Sequence, residues 1–170
     1  PNSRRQRQMC IRDRYGQEYG YRSGLNASMV KHLKGKAEKI LKDVKLKSGD
    51  IVIDIAGNDG TFLGFFPEDC QLMSIYPTSE KFGKYFKPNV NYIADFFSES
   101  VFKKRFGKQK AKVITSFSMF YDLEDPCEFA KQVKECLSPD GIWVLEQSYM
   151  PEMIRVNSFD TVCHEHLSYY

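Results

Sequence analysis

The sequence predicts an α/β fold built on a doubly wound, mostly parallel sheet. Five short apolar segments of strand length recur along the chain, and a segment of helical length separates most of them from the next. Strands that alternate with helices favour parallel pairing, right-handed crossovers and helices on both faces of the sheet. The predicted strands are residues 51–55, 72–75, 90–93, 112–116 and 142–146.

Start and stop signals predict where the helices lie. Asn26 or Ser28 can cap a first helix that runs to about Val44, and Pro126 suits the first turn of a later one. The run Ser-Pro-Asp-Gly at 138–141 is typical of a turn and separates that helix from the fifth strand. Further helices are expected over 60–66, 79–86, 98–106 and 126–137.

A length of 170 residues fits one domain, and the patterns divide it into four parts. We expect a disordered or non-native leader over 1–14, an aromatic segment and helix over 15–48, a core over 49–150, and the start of a carboxyl-terminal substrate or catalytic region over 151–170. The leader holds five arginines and one acid, and without it the chain has 20 basic and 21 acidic side chains. Nucleic-acid binding is therefore disfavoured, although the leader itself could be a binding arm.

Composition also indicates the compartment. The five cysteines are scattered and never form a CxxC pair, so neither a disulfide framework nor a structural zinc site is predicted. The sequence has no apolar run of membrane-spanning length and no signal-peptide pattern. We expect a cytoplasmic protein that binds no membrane, no nucleic acid and no metal, and whose substrate is a small molecule.

A glycine-containing loop follows the first predicted strand. Gly57 and Gly60 permit positive φ and close approach of a ligand, but the loop matches neither GxGxxG nor a phosphate-binding loop. Asp59 would repel a pyrophosphate, whereas Asp54 and Asp59 would attract an ammonium or a sulfonium group. The loop therefore favours S-adenosylmethionine over a dinucleotide; the alternative is that its glycines only make a tight turn.

Several stretches of the chain together resemble one family. The chain is similar to the bacterial sugar C-methyltransferases, which use S-adenosylmethionine to methylate nucleotide-linked keto-deoxyhexoses. The matching stretches are Tyr19–Asn26, Asp54–Thr61, Ala94–Phe97, Ser118–Pro126, Glu146–Pro151 and, most distinctively, Asn157–Tyr170 with its His-Glu-His run.

The resemblance implies a Rossmann-like class I methyltransferase fold and a set of cofactor contacts. The glycine loop would surround the methionine part of the cofactor, and Asp95 and Phe96 would contact adenine. The family usually has an acid after the second strand to hold the ribose hydroxyls, but Tyr76 stands there and cannot accept two hydrogen bonds as a carboxylate does. The predicted cofactor-binding residues are Asp54, Gly57, Asn58, Asp59, Gly60, Tyr76, Asp95 and Phe96.

Catalysis is expected from the His-Glu-His run and one tyrosine. Methylation beside a ketone requires a base of near-neutral pKa, and the resemblance implies His166 in that role, with Glu165 orienting the sugar. It implies that Tyr21 holds the sugar or its enolate, and it leaves His164 as a weaker candidate. A metal site or ordinary surface histidines are the alternatives, but the metal site lacks a nearby third ligand.

Family members also carry a zinc-binding module before this region, a further domain after it, and two more strands in the sheet. We therefore expect a fragment truncated after its fifth strand and inactive in isolation. Two other function classes stay open. A NAD-dependent nucleotide-sugar oxidoreductase or epimerase would need a YxxxK pair, which Tyr76–Glu80 does not supply. A non-catalytic α/β binding domain would have lost ribose recognition through Tyr76.

Overall fold

The computed structural model describes residues 20–159, 162 and 166–170, and its centre is a five-stranded parallel sheet. The strands are β1 (Ile51–Ile55), β2 (Gln71–Ile75), β3 (Val90–Ile93), β4 (Ala111–Phe117) and β5 (Leu137–Glu146). Their order is β3-β2-β1-β4-β5, and every neighbouring pair is parallel. The order reverses beside β1, which makes the sheet doubly wound and confirms the predicted fold class.

The helices carry the caps that the sequence indicated. They are α1 (Ala27–Asp43), α2 (Ser79–Phe82), α3 (Glu99–Phe106), α4 (Pro126–Cys136) and α5 (Met150–Arg155). The Asn26 side chain accepts from the Ser28 amide at 3.0 Å, so Asn26 is the first cap. Ser98 and Asp125 cap α3 and α4 in the same way. In the described part of the chain, no helix is both long and apolar enough to cross a lipid bilayer.

The core lies on both faces of β1 because its side chains alternate. Val52 packs with α1, as do its neighbours on β2 and β4. Ile53 faces the opposite way, toward Phe102 of α3 and Val133 of α4. All five residues of β1 are buried. The loop that follows β1 is therefore fixed to the most enclosed strand of the sheet.

Two predicted helices are shorter than expected. Residues 60–66 form only a 3₁₀ turn at Leu63–Phe65, because Gly60 has φ +74° and Pro67 follows. Residues 79–86 divide into the single turn of α2 and a 3₁₀ turn at Gly83–Tyr85. A Cβ at Gly83 would lie 2.8 Å from the Tyr92 ring, so the chain passes unusually close to β3 at that point.

The predicted start of the fifth strand was wrong. β5 begins at Leu137, which pairs with Ala111, and the next pair is Ile142 with Val113. Residues 138–141 form an excursion within one strand rather than a turn before it. Lys112 of β4 pairs with Asp140 in this excursion, an interaction between distant residues that the local turn pattern does not indicate.

Candidate functional site

A cavity of about 400 Å³ opens at the carboxyl ends of the central strands. This is where ligands bind in open α/β sheets. Six of the eight predicted cofactor residues line it: Asp54, Gly57, Asn58, Asp59, Tyr76 and Phe96. Gly60 and Asp95 are not in its wall, but both adjoin residues that are. The roles of all eight stay predictions.

The loop after β1 is shaped by backbone strain and close packing. Ala56 and Asn58 have φ of +60° and +50°, values that side-chain-bearing residues rarely adopt. Gly57 does not use a positive φ, contrary to the expectation. A Cβ there would lie 2.9 Å from Asp54 Oδ2 and 2.7 Å from Ser74 Oγ, so glycine is required for space. Gly60 has the positive φ expected of it.

Asp54 is a buried carboxyl group at the base of the cavity. Its side chain accepts a hydrogen bond of 2.6 Å from Thr115 Oγ, and the residue is 4% exposed. Burial raises its pKa to about 7, and the Thr115 hydroxyl partly opposes that shift. The group therefore exchanges a proton near neutral pH, and a cation placed beside it would favour the ionised form.

Asp59 lies in the cavity wall, but its oxygens are occupied within the chain. Oδ2 accepts from the Gly24 amide at 3.0 Å and pairs with Arg22 Nε at 3.6 Å. Oδ1 accepts from Thr61 Oγ at 2.7 Å. Because Arg22 compensates its charge, Asp59 repels a pyrophosphate, or attracts a cation, less than its sequence position suggested.

The segment before α1 brings Tyr21 to the cavity. Asn58 Oδ1 accepts from the Ser23 amide at 3.1 Å, and Asn58 Nδ2 donates to the Tyr21 carbonyl at 2.9 Å. Tyr21 lines the cavity together with Ser23. Of the predicted catalytic residues, Tyr21 thus stands in the cavity wall next to the predicted cofactor loop.

The residues after β2 and β3 supply aromatic surface. Tyr76 follows β2, is 8% exposed and lines the cavity. Phe96 also lines it and is 53% exposed, so its ring is free to cover a flat ligand. Asp95 Oδ1 accepts from the Phe96 amide at 2.7 Å, which directs that oxygen to its own backbone.

His166 is not among the residues that line the cavity, but the next residue, Leu167, is. The His166 ring lies against Tyr121 with centroids 3.9 Å apart. The next two amides, of Leu167 and Ser168, donate to the Tyr121 carbonyl at 2.9 and 3.1 Å, and Leu167 lines the cavity. The expectations for His164 and Glu165 lie outside the described residues.

The sequence did not predict one polar cluster at the cavity. Glu146, the last residue of β5, accepts from His32 at 2.8 Å and pairs with Lys36 at 2.5 Å. Burial alone would raise the pKa of Glu146, but Lys36 and His32 outweigh it and hold that pKa below its ordinary value of 4.5. His32 and Lys36 are four residues apart on α1, a spacing that puts them on one face and could have indicated a shared partner.

The charged side chains among the described lining residues of the cavity are all acidic. Its described lining residues include no lysine, arginine or histidine. The carboxylates among them are Asp54, Asp59, Asp122, Glu124 and Glu146. Two of these, Asp59 and Glu146, are paired with cations behind the wall. A wall with these carboxyl groups and no cationic side chain among its described residues favours a cationic ligand.

Comparisons with known proteins agree with this geometry. The chain is 26% identical over 156 residues to the C-methyltransferase NovU of Streptomyces niveus; the match covers 89% of this chain but only 37% of that protein. Its fold is similar to the plantazolicin methyltransferase BpumL, solved with a triazolic desmethylPZN analog and SAH (TM-score 0.55, 16% identity, 96% of this chain and 60% of that one). It is also similar to coclaurine N-methyltransferase, solved with N-methylheliamine and SAH (TM-score 0.51, 12% identity, 68% of this chain and 35% of that one).

A family model described as a methyltransferase domain matches residues 29–170. The match covers the whole sheet, the carboxyl-terminal segment that carries His166, and all of the cavity lining except Tyr21 and Ser23. It confirms the prediction of a methyltransferase domain, made on the loop after β1 and the resemblance around it. The chain belongs to the methyltransferase-domain family.

Proposed function

We propose that the cavity binds S-adenosylmethionine, and that the chain contributes this site to an enzyme that methylates a carbon beside the ketone of a nucleotide-linked deoxysugar. The observation that carries the cofactor assignment is the acidic wall at the end of β1, with the buried Asp54 at its base. S-adenosylmethionine carries an ammonium and a sulfonium group, whereas a dinucleotide carries a pyrophosphate.

The size and lining of the cavity suit this ligand. About 400 Å³ lies within the range of small-molecule sites, which typically combine apolar walls with a few polar groups. Tyr76 and Phe96 offer ring faces for the adenine base, and Asp54 offers a negative charge. Gly57 lets the loop pack directly on Asp54 and Ser74, where a side chain would collide with both.

A dinucleotide fits the same wall poorly. Its pyrophosphate would meet the carboxylate of Asp54 in a cavity whose described lining has no cationic side chain. Asp59 adds little to this repulsion, because Arg22 compensates its charge, and Asp54, whose pKa burial raises to about 7, would have to take up a proton beside a phosphate. By the same reasoning, the phosphates of a nucleotide-linked sugar would lie outside this cavity, with only the sugar at its mouth.

The acceptor assignment rests on the similarity to NovU and on two residues. The bound cofactor would supply an electrophilic methyl group, so the chain's own task is to generate and hold a carbon nucleophile. His166 would take the proton from the carbon beside the ketone, and the electron pair of that C–H bond would become the enolate. The Tyr21 hydroxyl would donate to the enolate oxygen. Tyr21 lines the cavity, and His166 is next to Leu167 in its wall.

Equilibrium dialysis with labelled S-adenosylmethionine tests the cofactor assignment. We expect saturable binding, and no saturable quenching or enhancement when NADH fluorescence is titrated with the same sample. A folded chain that binds NADH and not S-adenosylmethionine would contradict the proposal. Folding is checked on each sample by circular dichroism.

Deuterium exchange tests the acceptor assignment without requiring methyl transfer. In D₂O, the enzyme to which this chain contributes the site should accelerate exchange of the hydrogen beside the ketone of a nucleotide-linked keto-deoxysugar, and His166→Ala in that enzyme should abolish the acceleration. Phe159→Ala, a change at an exposed residue of the same segment, is the matched control. Equal exchange by wild type and His166→Ala would remove His166 from the role of base.

A further inference from the structure

We propose that Asp59 is a positioning residue whose carboxylate fastens residues 20–25, here named the strap, across the loop after β1 and thereby sets Tyr21 in the cavity wall. The inference rests on the proposed function only for the role of Tyr21. The geometry of the strap stands by itself.

The strap converges on one buried carboxylate. Asp59 is 2% exposed, and its Oδ2 meets both the Gly24 amide at 3.0 Å and Arg22 Nε at 3.6 Å. Its other oxygen is held by Thr61 Oγ at 2.7 Å. A carboxylate so fully engaged fixes the direction of its partners as well as their distance.

The fit between strap and loop is close. A Cβ on Gly24 would lie 2.8 Å from Thr61 Oγ and 3.0 Å from Asp59 Oδ2, so only glycine allows this approach. Asn58 makes the second attachment, with its carbonyl to Ser23 and its amide to Tyr21. Because Asn58 holds a left-handed φ of +50° while it does so, the strap and the shape of the loop are coupled.

Arg22 extends the connection to a third segment of the chain. Its guanidinium carbon lies 3.2 Å from the centroid of the Tyr85 ring, in the turn that follows α2. The Asp59 carboxylate thus joins three segments: the strap, the loop after β1, and the turn that follows Tyr76 and α2.

Polar contacts dominate the attachment of the strap. The 3₁₀ turn at Ser23–Leu25 contains no buried residue, and Leu25 is 72% exposed. With little apolar burial to retain the segment, loss of the Asp59 carboxylate should release it while the sheet stays folded. The two Asn58 hydrogen bonds would remain, but the strap should open more often, and Tyr21 would leave the cavity wall in that open state while the cofactor loop stays anchored to β1.

Limited trypsin digestion measures this directly, because trypsin cleaves after Arg22, which the strap holds against Asp59. We expect Asp59→Ala to raise the rate of cleavage after Arg22, followed by mass spectrometry, at least tenfold. Asp59→Asn keeps an acceptor for Gly24 but loses the charge, so it should restore part of the protection. Ser98→Ala removes one cap bond, at α3 and away from the strap, and should leave the rate unchanged.

The outcomes separate this inference from the proposed function. Unchanged cleavage in a folded Asp59→Ala variant overturns the strap, whatever the dialysis with S-adenosylmethionine shows. Failure of the wild type to bind S-adenosylmethionine overturns the proposed function and leaves the cleavage result standing. If Asp59→Ala does not fold, Tyr85→Leu serves as the test instead, because Tyr85 is 43% exposed and its ring contacts Arg22. Loss of this ring should raise the rate of cleavage after Arg22 a few-fold. No increase in that variant also overturns the inference.

Discussion

Asp54 and Glu146 line the same cavity, yet their surroundings act on their carboxyl groups in opposite directions. Asp54 forms no ion pair with any residue in the described part of the chain. It is buried and accepts one hydrogen bond from a hydroxyl group, and burial raises its pKa to about 7. Glu146 is half-buried at the end of β5, and the two cationic partners on α1 lower its pKa. Burial opposes ionisation in both, so the neighbours decide the sign.

The difference indicates which of the two carboxyl groups would pair with a cationic ligand. Glu146 already has its counter-charge from the protein, so a ligand gains little by supplying another. Asp54 has a hydroxyl partner and no counter-charge from the residues described, so a cationic ligand would complete its environment. The cofactor should therefore depend strongly on Asp54 and weakly on Glu146.

The largest expected effect is on cofactor affinity. Asp54→Asn should weaken binding of S-adenosylmethionine about 30- to 100-fold at pH 7.5, the loss typical when one partner of a buried charge pair is removed. Glu146→Gln, the same chemical change at the other carboxyl group, is the control and should alter affinity less than about 3-fold. Equilibrium dialysis of both variants measures these affinities. Equal losses of affinity would contradict the difference proposed between Asp54 and Glu146.

The second effect is on stability as a function of pH. Asp54 has a folded pKa of about 7 against an ordinary value of 3.8, so its contribution is complete below about pH 4 and is lost as the pH rises through 7. The free energy of unfolding should fall by about 3 kcal/mol between pH 5 and pH 8. Urea denaturation of wild type and Asp54→Asn would test this, since the variant should lose that dependence. If the free energy of unfolding depended on pH in the same way in both proteins, the pKa of Asp54 would not be raised by folding.

A smaller effect is expected when the hydroxyl group of Thr115, which donates a hydrogen bond to Asp54, is removed. Thr115→Val removes the donor of the 2.6 Å hydrogen bond while keeping the shape of the side chain. The pKa of Asp54 should rise further, because that bond favours the ionised carboxylate, and the fall in stability should move to higher pH. The expected cost in stability is about 1 kcal/mol. Denaturation at several pH values would detect it, and a midpoint displaced to lower pH would contradict it.

The smallest effect is expected at Glu146. Its folded pKa lies below the ordinary 4.5, so its contribution is present above that pH and is lost as the pH falls through the lowered value. Glu146→Gln should therefore cost less than about 1 kcal/mol at pH 7 and become neutral in acid. Raising the salt concentration should reduce the cost further. A large cost that salt does not change would mean that the pair is more enclosed than its exposure indicates.

The sheet could be predicted from the sequence because its strands are short apolar runs with local boundaries. Residues 51–55 were predicted without error, since all five are buried and the glycine loop follows at once. The helices over 60–66 and 79–86 were predicted too long. Periodicity does not reveal the left-handed φ of Gly60 or the Tyr92 ring that occupies the space beside Gly83.

The position of the site could be predicted from the sequence, but the hydrogen-bond and ion-pair partners of its side chains could not. Asp54 lies near the carboxyl end of β1 and Tyr76 directly follows the neighbouring β2. Strand ends meet at one edge of a parallel sheet, so the place of both residues in the cavity followed from the topology. The partners of Asp59 and Glu146 lie 35 and 114 residues away and were not predicted. The sequence analysis gave Asp59 an uncompensated negative charge, and only the folded arrangement supplies Arg22, which compensates it.

The enclosed position of β1 has a consequence for native-state hydrogen exchange. Amides of β1 are paired on both sides, with β2 and β4, and should exchange only through the slowest, global opening. Amides of Ser23 and Gly24, which donate only to side chains of the adjoining loop, should exchange orders of magnitude faster. The strap should therefore open by local fluctuation while the central strand of the sheet stays paired.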